Sequence, residues 1–177
     1  MNDYDFQVLQ LGDPNLRIIS LPVTDISSER THSFITALFR FVTDVHGMGI
    51  AAPQVGTAER LFIMSSKPNA RYPYAPEMEP TVVINPEILW QSSDIEKDWE
   101  GCLSIPGIRA LVPRHNIIKV AYTSLSGHQI TTEYSGFISR LFQHEFDHLD
   151  GVVFLDRVES ADDIMMENQW VKMISQL

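Results

Sequence analysis

Cysteine is nearly absent from this sequence, long apolar runs are missing, and basic residues are outnumbered. Cys102 is the single cysteine, so no intrachain disulfide can form, and a lone thiol suits a reducing compartment. No apolar stretch approaches the roughly 20 residues needed to cross a bilayer, so no membrane partner is expected. Lys and Arg number 13 against 23 Asp and Glu, a net charge of −10. That balance argues against direct nucleic-acid binding and against an anionic membrane surface. Met1 to Asp5 lacks a basic region followed by an apolar run, so neither a signal peptide nor a transit peptide is expected. The expected location is the cytoplasm. Internal repeats and low-complexity segments are also lacking, and nothing marks a boundary within residues 1–177. A chain of this length and ordinary hydrophobic content reads as one domain with a sizeable core.

What is present can be taken along the chain. Asp13-Pro14-Asn15 signals a turn. Ser27 or Ser28 can cap a first helix, on which Phe34, Ile35, Leu38, Phe39, Val42 and Val45 recur at helical spacing until Gly47 ends it. Gly47 to Gly56 is then almost bare: two glycines followed by two alanines, then Pro53 and the amide of Gln54, with a third glycine closing the run. Glycine allows close approach of another backbone, but the run lacks the ending of a phosphate loop. Arg60 to Met64 reads as a strand, residues 65–80 with four prolines as a surface loop, and 81–84 and 87–95 as two further strands. Val112, Ile117-Ile118 and Val120 to Tyr122 suggest more strands, and Ser126-Gly127 a hairpin turn into Gln129 to Tyr134. Gly136 precedes a second helix that Asp150-Gly151 stops. The tail from Ser160 predicts a terminal amphipathic helix carrying Ile164, Met165, Trp170, Val171 and Ile174.

The second helix carries the chemistry. His144 and His148 are four residues apart, so both imidazoles leave from one helical face and can grip one divalent cation. Glu145 sits beside them, where a carboxylate can move a proton to or from a coordinated water. Satisfied histidines on a polar helix give the same pattern without a metal.

A catalytic site of this kind takes three protein ligands. The extended metalloprotease motif would put a third histidine where this chain has Phe154, which cannot ligate. Glu159 and Glu167 are downstream candidates in a tail where acidic residues are common, as on a solvated face. Cys102 is the third candidate. Its thiolate is a strong soft ligand, and Cys with two His is a known catalytic set, although a buried free thiol is the alternative.

Three separated segments resemble the signature motifs of the peptide deformylases: Gly47 to Gln54, Glu100-Gly101-Cys102-Leu103-Ser104, and Gln143-His144-Glu145-Phe146-Asp147-His148. Leu11 to Arg17 resembles the family's lead-in, and Arg109 with Leu111-Val112-Pro113-Arg114 also looks familiar. The resemblance implies an α+β fold of mainly antiparallel sheets packed around a central metal-binding helix, with a C-terminal helix. It implies a metallo-amidase that removes the formyl group from N-formylmethionyl nascent peptides. Cys102, His144 and His148 would ligate one divalent metal, Fe(II) in the cell, with Zn, Ni or Co as substitutes. Glu145 would transfer the proton, and the Gln54 side chain and Leu103 N–H would stabilise the oxyanion. Gly49, Ile50, Gly101 and Arg109 would contact the substrate, and Phe137 and Leu141 would line the methionine pocket. Asp147 would pair with an arginine, Arg114 being the candidate, while the resemblance leaves Arg140 without a role. Some bacterial members end in a basic helix that docks on the ribosome. This tail has Glu159, Asp162, Asp163 and Glu167 against Lys172, so any ribosome association is expected to be transient. Two rivals stay in view: another metallohydrolase with Glu167 as ligand, and a non-enzymatic metal or binding protein.

Overall fold

A computed structural model describes residues 4–69 and 71–176 of the chain. Met1 to Asp3 of the acidic start, Ala70 of the proline-rich segment and the last residue of the tail, Leu177, lie outside those residues.

The first helix, α1 (Glu29–Asp44), forms where its apolar spacing predicts. Ser28 caps it, its hydroxyl accepting from the Thr31 N–H at 3.2 Å. The end differs from expectation. His46, not Gly47, takes the left-handed conformation (φ 54°). His46 N–H donates to Thr43 O and Gly47 N–H to Val42 O, closing the last turn. Gly47 is needed for space instead: a Cβ there would lie 3.0 Å from the Val42 side chain and 3.1 Å from Leu103.

Two antiparallel sheets follow. The first holds β1 (Gly49–Ala51), β2 (Leu61–Ser66), β3 (Met78–Gln91), β6 (Ile117–Thr123) and β7 (Gln129–Ser135), in that spatial order. The second holds β4 (Ile95–Cys102), β5 (Ile105–His115) and β8 (Ile164–Met166). The helix α2 (Gly136–Leu149) packs on β1 and β2 of the first sheet and on β5 of the second. Among the described residues this is an α+β fold of antiparallel sheets with three α-helices, the last being α3 (Glu167–Ile174).

The first sheet is covered on both faces. Ile50, Leu61, Ile63, Val82 and Ile84 pack with Phe34, Ile35, Leu38 and Val42 of α1. Their alternates Ala51, Phe62, Met64 and Val83 pack with Phe142 and Leu149 of α2. That is why β2 reads Leu-Phe-Ile-Met rather than alternating with polar residues. In the register of the sheet, Ile50 stands opposite Ile63 and Phe62 opposite Val83. A third cluster, including Ile105, Ala110, Val112 and Phe154, lies under the second sheet.

Several boundaries differ from those the sequence predicts. Segment 81–84 and the first part of 87–95 are one strand, β3, which stops at Gln91 (Ile95 already opens β4) and is interrupted by Asn85 at φ 50° and a shift of pairing between Ile84 and Glu87. The Asn85 side chain bonds both the N–H and the C=O of Val23, which compensates the unusual backbone. The loop predicted at 65–80 narrows to 67–77 between β2 and β3. In the tail, Ile164 to Met166 form β8 by pairing with Ile108, Arg109 and Ala110, and the helix starts at Glu167. β4 carries no apolar alternation because it is an exposed edge strand, where charged residues blunt unwanted pairing. No helix among the described residues is long and apolar enough to cross a membrane.

Gly151 ends α2 at φ 71°, and a Cβ on it would come within 2.6 Å of the Arg17 carbonyl oxygen. Gly151→Ala therefore combines left-handed strain with a backbone clash. We expect it to cost about 2–4 kcal/mol, read as a lower urea midpoint with an unchanged slope.

Candidate metal centre and active site

β4 and α2 bring three ligand atoms together. Cys102 is the last residue of β4, and His144 and His148 share one face of α2. The Sγ and the two imidazoles offer one atom each, all within 4.8 Å of one another. Cys102 Sγ lies 3.3 Å from His148 Nε2. Two ligands at roughly 2.0–2.3 Å from one tetrahedral ion are separated by about that much, so the donor set and its spacing fit a divalent cation. Glu159 and Glu167 are outside this group. Glu159 is a surface carboxylate, 62% exposed and paired with Lys97, as the tail's composition predicts, whereas Glu167 is partly buried and held by Arg109.

Glu100, two residues before Cys102, orients the group. Its Oε2 lies 2.8 Å from His144 Nδ1. Burial works against the Glu100 carboxylate, but Arg114 and the His144 hydrogen bond outweigh it and hold the carboxyl well below its usual range. A carboxylate only accepts, so His144 donates through Nδ1 and leaves Nε2 for a ligand. Burial pushes His148 well below the usual histidine range, which keeps the ring neutral. Burial also lowers His144, yet Cys102 and Glu100 beside it raise it well above its ordinary value. A cation binding there must displace that proton, which makes affinity weaken at low pH.

Arg114 pairs with Asp147 at 2.5 Å, the partner expected for it, and also with Glu100 at 2.9 Å. Arg157 reaches the other Asp147 oxygen at 2.7 Å. Arg140, unassigned by sequence, donates to Glu100 Oε1 and to the carbonyls of Val112 and Glu96. It ties α2 to both β4 and β5.

Glu145 follows His144 into the same site. Its Oε2 is buried and has no hydrogen-bond partner among the described residues, so a polar group is called for beside it. Burial pushes its carboxyl up to about 7, with His144 pulling the other way. Gly49 makes room for it: a Cβ at 49 would fall 2.3 Å from Glu145 Oε1. Gln54 is fixed by donation from the Ala51 N–H to its Oε1, while its Nε2 donates to Ser104 Oγ at 3.0 Å and to Cys102 Sγ at 3.4 Å.

A cavity of about 210 Å³ runs past these groups. Gly49, Gln54, Gly101, Cys102, Leu103, Arg109, Phe137, Leu141, His144 and Glu145 all line it. Ile50 does not: its side chain is buried against α1, although it lies on the same outermost strand β1. Sequence reasoning missed Tyr72, whose ring stands edge-on to Phe137 with centroids 5.4 Å apart. It lies in a proline-rich loop without periodicity, so no sequence signal pointed to it. Glu100 was in plain view inside the second motif, but its partners Arg114, Arg140 and His144 are distant in sequence.

The Glu145 shift has a consequence for stability. An acid whose folded pKa is raised stabilises the fold below its unfolded value near 4.5, and that contribution fades as pH rises through about 7. Glu145→Gln mimics the protonated acid and removes the dependence. The metal-free variant is expected to gain on wild type as pH rises from about 4.5 to about 7, by up to about 3 kcal/mol, in denaturant unfolding across that range.

Comparison with known proteins agrees with the geometry. The polypeptide deformylase family model matches residues 6–163. Peptide deformylase 2 of Nostoc sp. is 47% identical over 175 residues, covering 99% of this chain and 98% of that protein. The Met-Ala-Ser-bound crystal structure of a class I type b peptide deformylase from Acinetobacter baumannii superposes with a TM-score of 0.85 at 41% identity, covering 86% of this chain and 98% of that one. An actinonin complex of a Synechococcus elongatus peptide deformylase gives a TM-score of 0.80 at 34% identity, covering 92% and 84%. With relatives this similar along nearly its whole length, the chain belongs to the polypeptide deformylase family of enzymes.

Proposed function

We propose that the chain, acting as one catalytic domain over residues 1–177, removes the N-formyl group from the formylmethionine of new polypeptides and releases formate. The observation that carries the reading is the grouping of Cys102, His144 and His148 beside a buried Glu145 with an unpartnered oxygen. The Met-Ala-Ser complex of the Acinetobacter baumannii relative supports the peptide part. Action on nascent chains assigns the enzyme to the cytoplasm.

Cys102, His144 and His148 would hold the cation, Fe(II) by family resemblance, with Zn, Ni or Co as substitutes. When bound, it supplies Lewis acidity toward water and the formyl oxygen. The chain's own groups do the rest. Substrate backbone lies along the free edge of β1 at Gly49 and Ile50, a mode that does not read side chains. Phe137 and Leu141 take the methionine side chain. Glu145, with a pKa near neutrality, accepts the proton of the attacking water and returns it to the leaving amine. Gln54 Nε2 and the Leu103 N–H donate to the oxyanion of the tetrahedral intermediate.

Formate release from formyl-Met-Ala-Ser tests the function. Wild-type protein, purified anaerobically with Fe(II) or reconstituted with Ni(II), is expected to be active and Glu145→Ala inactive with metal still bound. Metal-loaded wild type that yields no formate would sink the proposal. Gln54→Ala should lower kcat by about 10²–10³-fold. Chelation should abolish activity, with recovery on adding Ni(II), and Cys102→Ala should fail to retain the ion by elemental analysis. Cleavage of unformylated peptides by that variant would favour a metallopeptidase instead.

A further inference from the structure

The start of the chain has no part in the proposed chemistry, yet it touches both segments that supply the oxyanion donors. Gln54 follows β1, a strand of the first sheet. Leu103 and Ser104 form the turn between β4 and β5 of the second. Each of these strands pairs within its own sheet, so no ladder fixes one donor against the other. The main-chain link comes from outside the sheets. The Leu9 N–H donates to Gln54 O at 2.8 Å, and the Leu11 N–H donates to Ser104 O at 2.8 Å. Gln10, between them, is exposed, and its N–H has no partner among the described residues. The Gln54 side chain completes the bridge by donating to the buried Ser104 Oγ.

Both ends of this short span are anchored. Upstream, Tyr4, Phe6 and Val8 pack on the cluster that includes α1, and the Phe6 ring stands edge-on to Phe34 and Phe41, with centroids 5.5 and 5.6 Å away. Downstream, the Asp13 N–H donates to Gln10 O at 3.0 Å and closes a turn in which Gly12 takes φ 109°. Leu16 then enters the core with 1% of its surface exposed. A span tethered on both sides has little conformational freedom left, so its two N–H groups act as a spacer.

We propose that Leu9 and Leu11 are positioning residues for the oxyanion donors: through their main-chain N–H groups they hold the Gln54 amide and the Leu103 N–H at a fixed separation. This rests on the deformylase reading above. Neither residue lines the cavity. Both donors must converge on one developing oxyanion, so a small shift of either weakens the transition state more than it weakens substrate binding.

The turn supplies a clean test. Leu11 is its second residue, and Gly12 at positive φ in the third makes it a type II arrangement, which accepts proline at the second. Leu11→Pro therefore removes the N–H and keeps the turn. Leu11→Ala removes the same exposed side chain and keeps the N–H, so the two variants are compared with each other. Formate release from formyl-Met-Ala-Ser by the Ni(II)-loaded full chain is expected to give Leu11→Pro a kcat roughly tenfold below that of Leu11→Ala, with KM within about twofold. Metal content should be equal in the two. A kcat ratio within about twofold, or a fall matched by a rise in KM or by loss of metal, overturns the proposal. A second measurement needs no variant. In Zn(II)-loaded wild type, amide hydrogen exchange followed by NMR should show Leu9 and Leu11 protected at least roughly tenfold more than Gln10. Either amide exchanging as freely as that of Gln10 overturns the proposal and leaves the deformylase reading intact. Metal-loaded wild type that releases no formate would overturn the deformylase reading itself, and this inference with it.

Discussion

The buried carboxylate of Glu100 is the constraint on which the rest of the site depends. It sits on β4 among three partners from other elements: Arg114 from β5, and Arg140 and His144 from α2. A charge so buried is tolerated because Arg114 faces it bidentately and Arg140 adds a third donor. Removing one partner from such a network typically costs about 3–5 kcal/mol, because the remaining charges stay desolvated. The geometric result matters as much. The same carboxylate, two residues before the thiol that completes the group, joins α2 to the second sheet and fixes the tautomer of His144. Fold stability and ligand orientation are one interaction here.

Glu145 illustrates the opposite case. It lies in the same buried region, but among the described residues no Lys or Arg pairs with it, and one oxygen has no hydrogen-bond partner. Burial therefore raises its pKa toward neutrality, where Glu100 is driven the other way. Two carboxylates on neighbouring elements thus take separate roles through their surroundings, one permanently ionised and one poised to exchange a proton. Gly49 and Gly101 make this crowding possible, each leaving space for a charged side chain that a methyl group would displace.

Much of this was legible in the sequence, for identifiable reasons. The α1 and α2 helices announce themselves because their apolar faces repeat locally, and His144 and His148 because four residues is a helical interval. Cys102 could not be chosen over a downstream acid from spacing alone; that needed either the family resemblance or three-dimensional proximity. What sequence did not show is long-range or irregular. Glu100 gains its importance from residues 14, 40 and 44 positions away. Tyr72 lies on a loop without pattern. Ile164 and Met165 look helical, yet pairing with β5 claims them for a strand before α3 begins. β4 was invisible because its exposed residues are charged, the feature that protects an edge and hides it from a hydrophobicity reading.

The double-sided burial of β2 has a less obvious consequence. In a strand with one wet face, slippage by a single residue turns apolar side chains to water and is strongly penalised. Leu61, Phe62, Ile63 and Met64 would meet an apolar layer in either alignment. Polarity therefore does little to prevent misalignment of the strand most central to the interior. Its position must be set from outside, by shape in the two layers and by anchors at its flank. Arg60 supplies several: its N–H bonds Leu21 O, its carbonyl accepts from Asn85 N, and its guanidinium reaches Asp150 beyond α2. Asn85 in turn clasps Val23. Errors in alignment during folding would thus be corrected at polar residues on the margin of the sheet, and substitutions at Arg60 or Asn85 would show as heterogeneity of the native state before they showed as loss of stability.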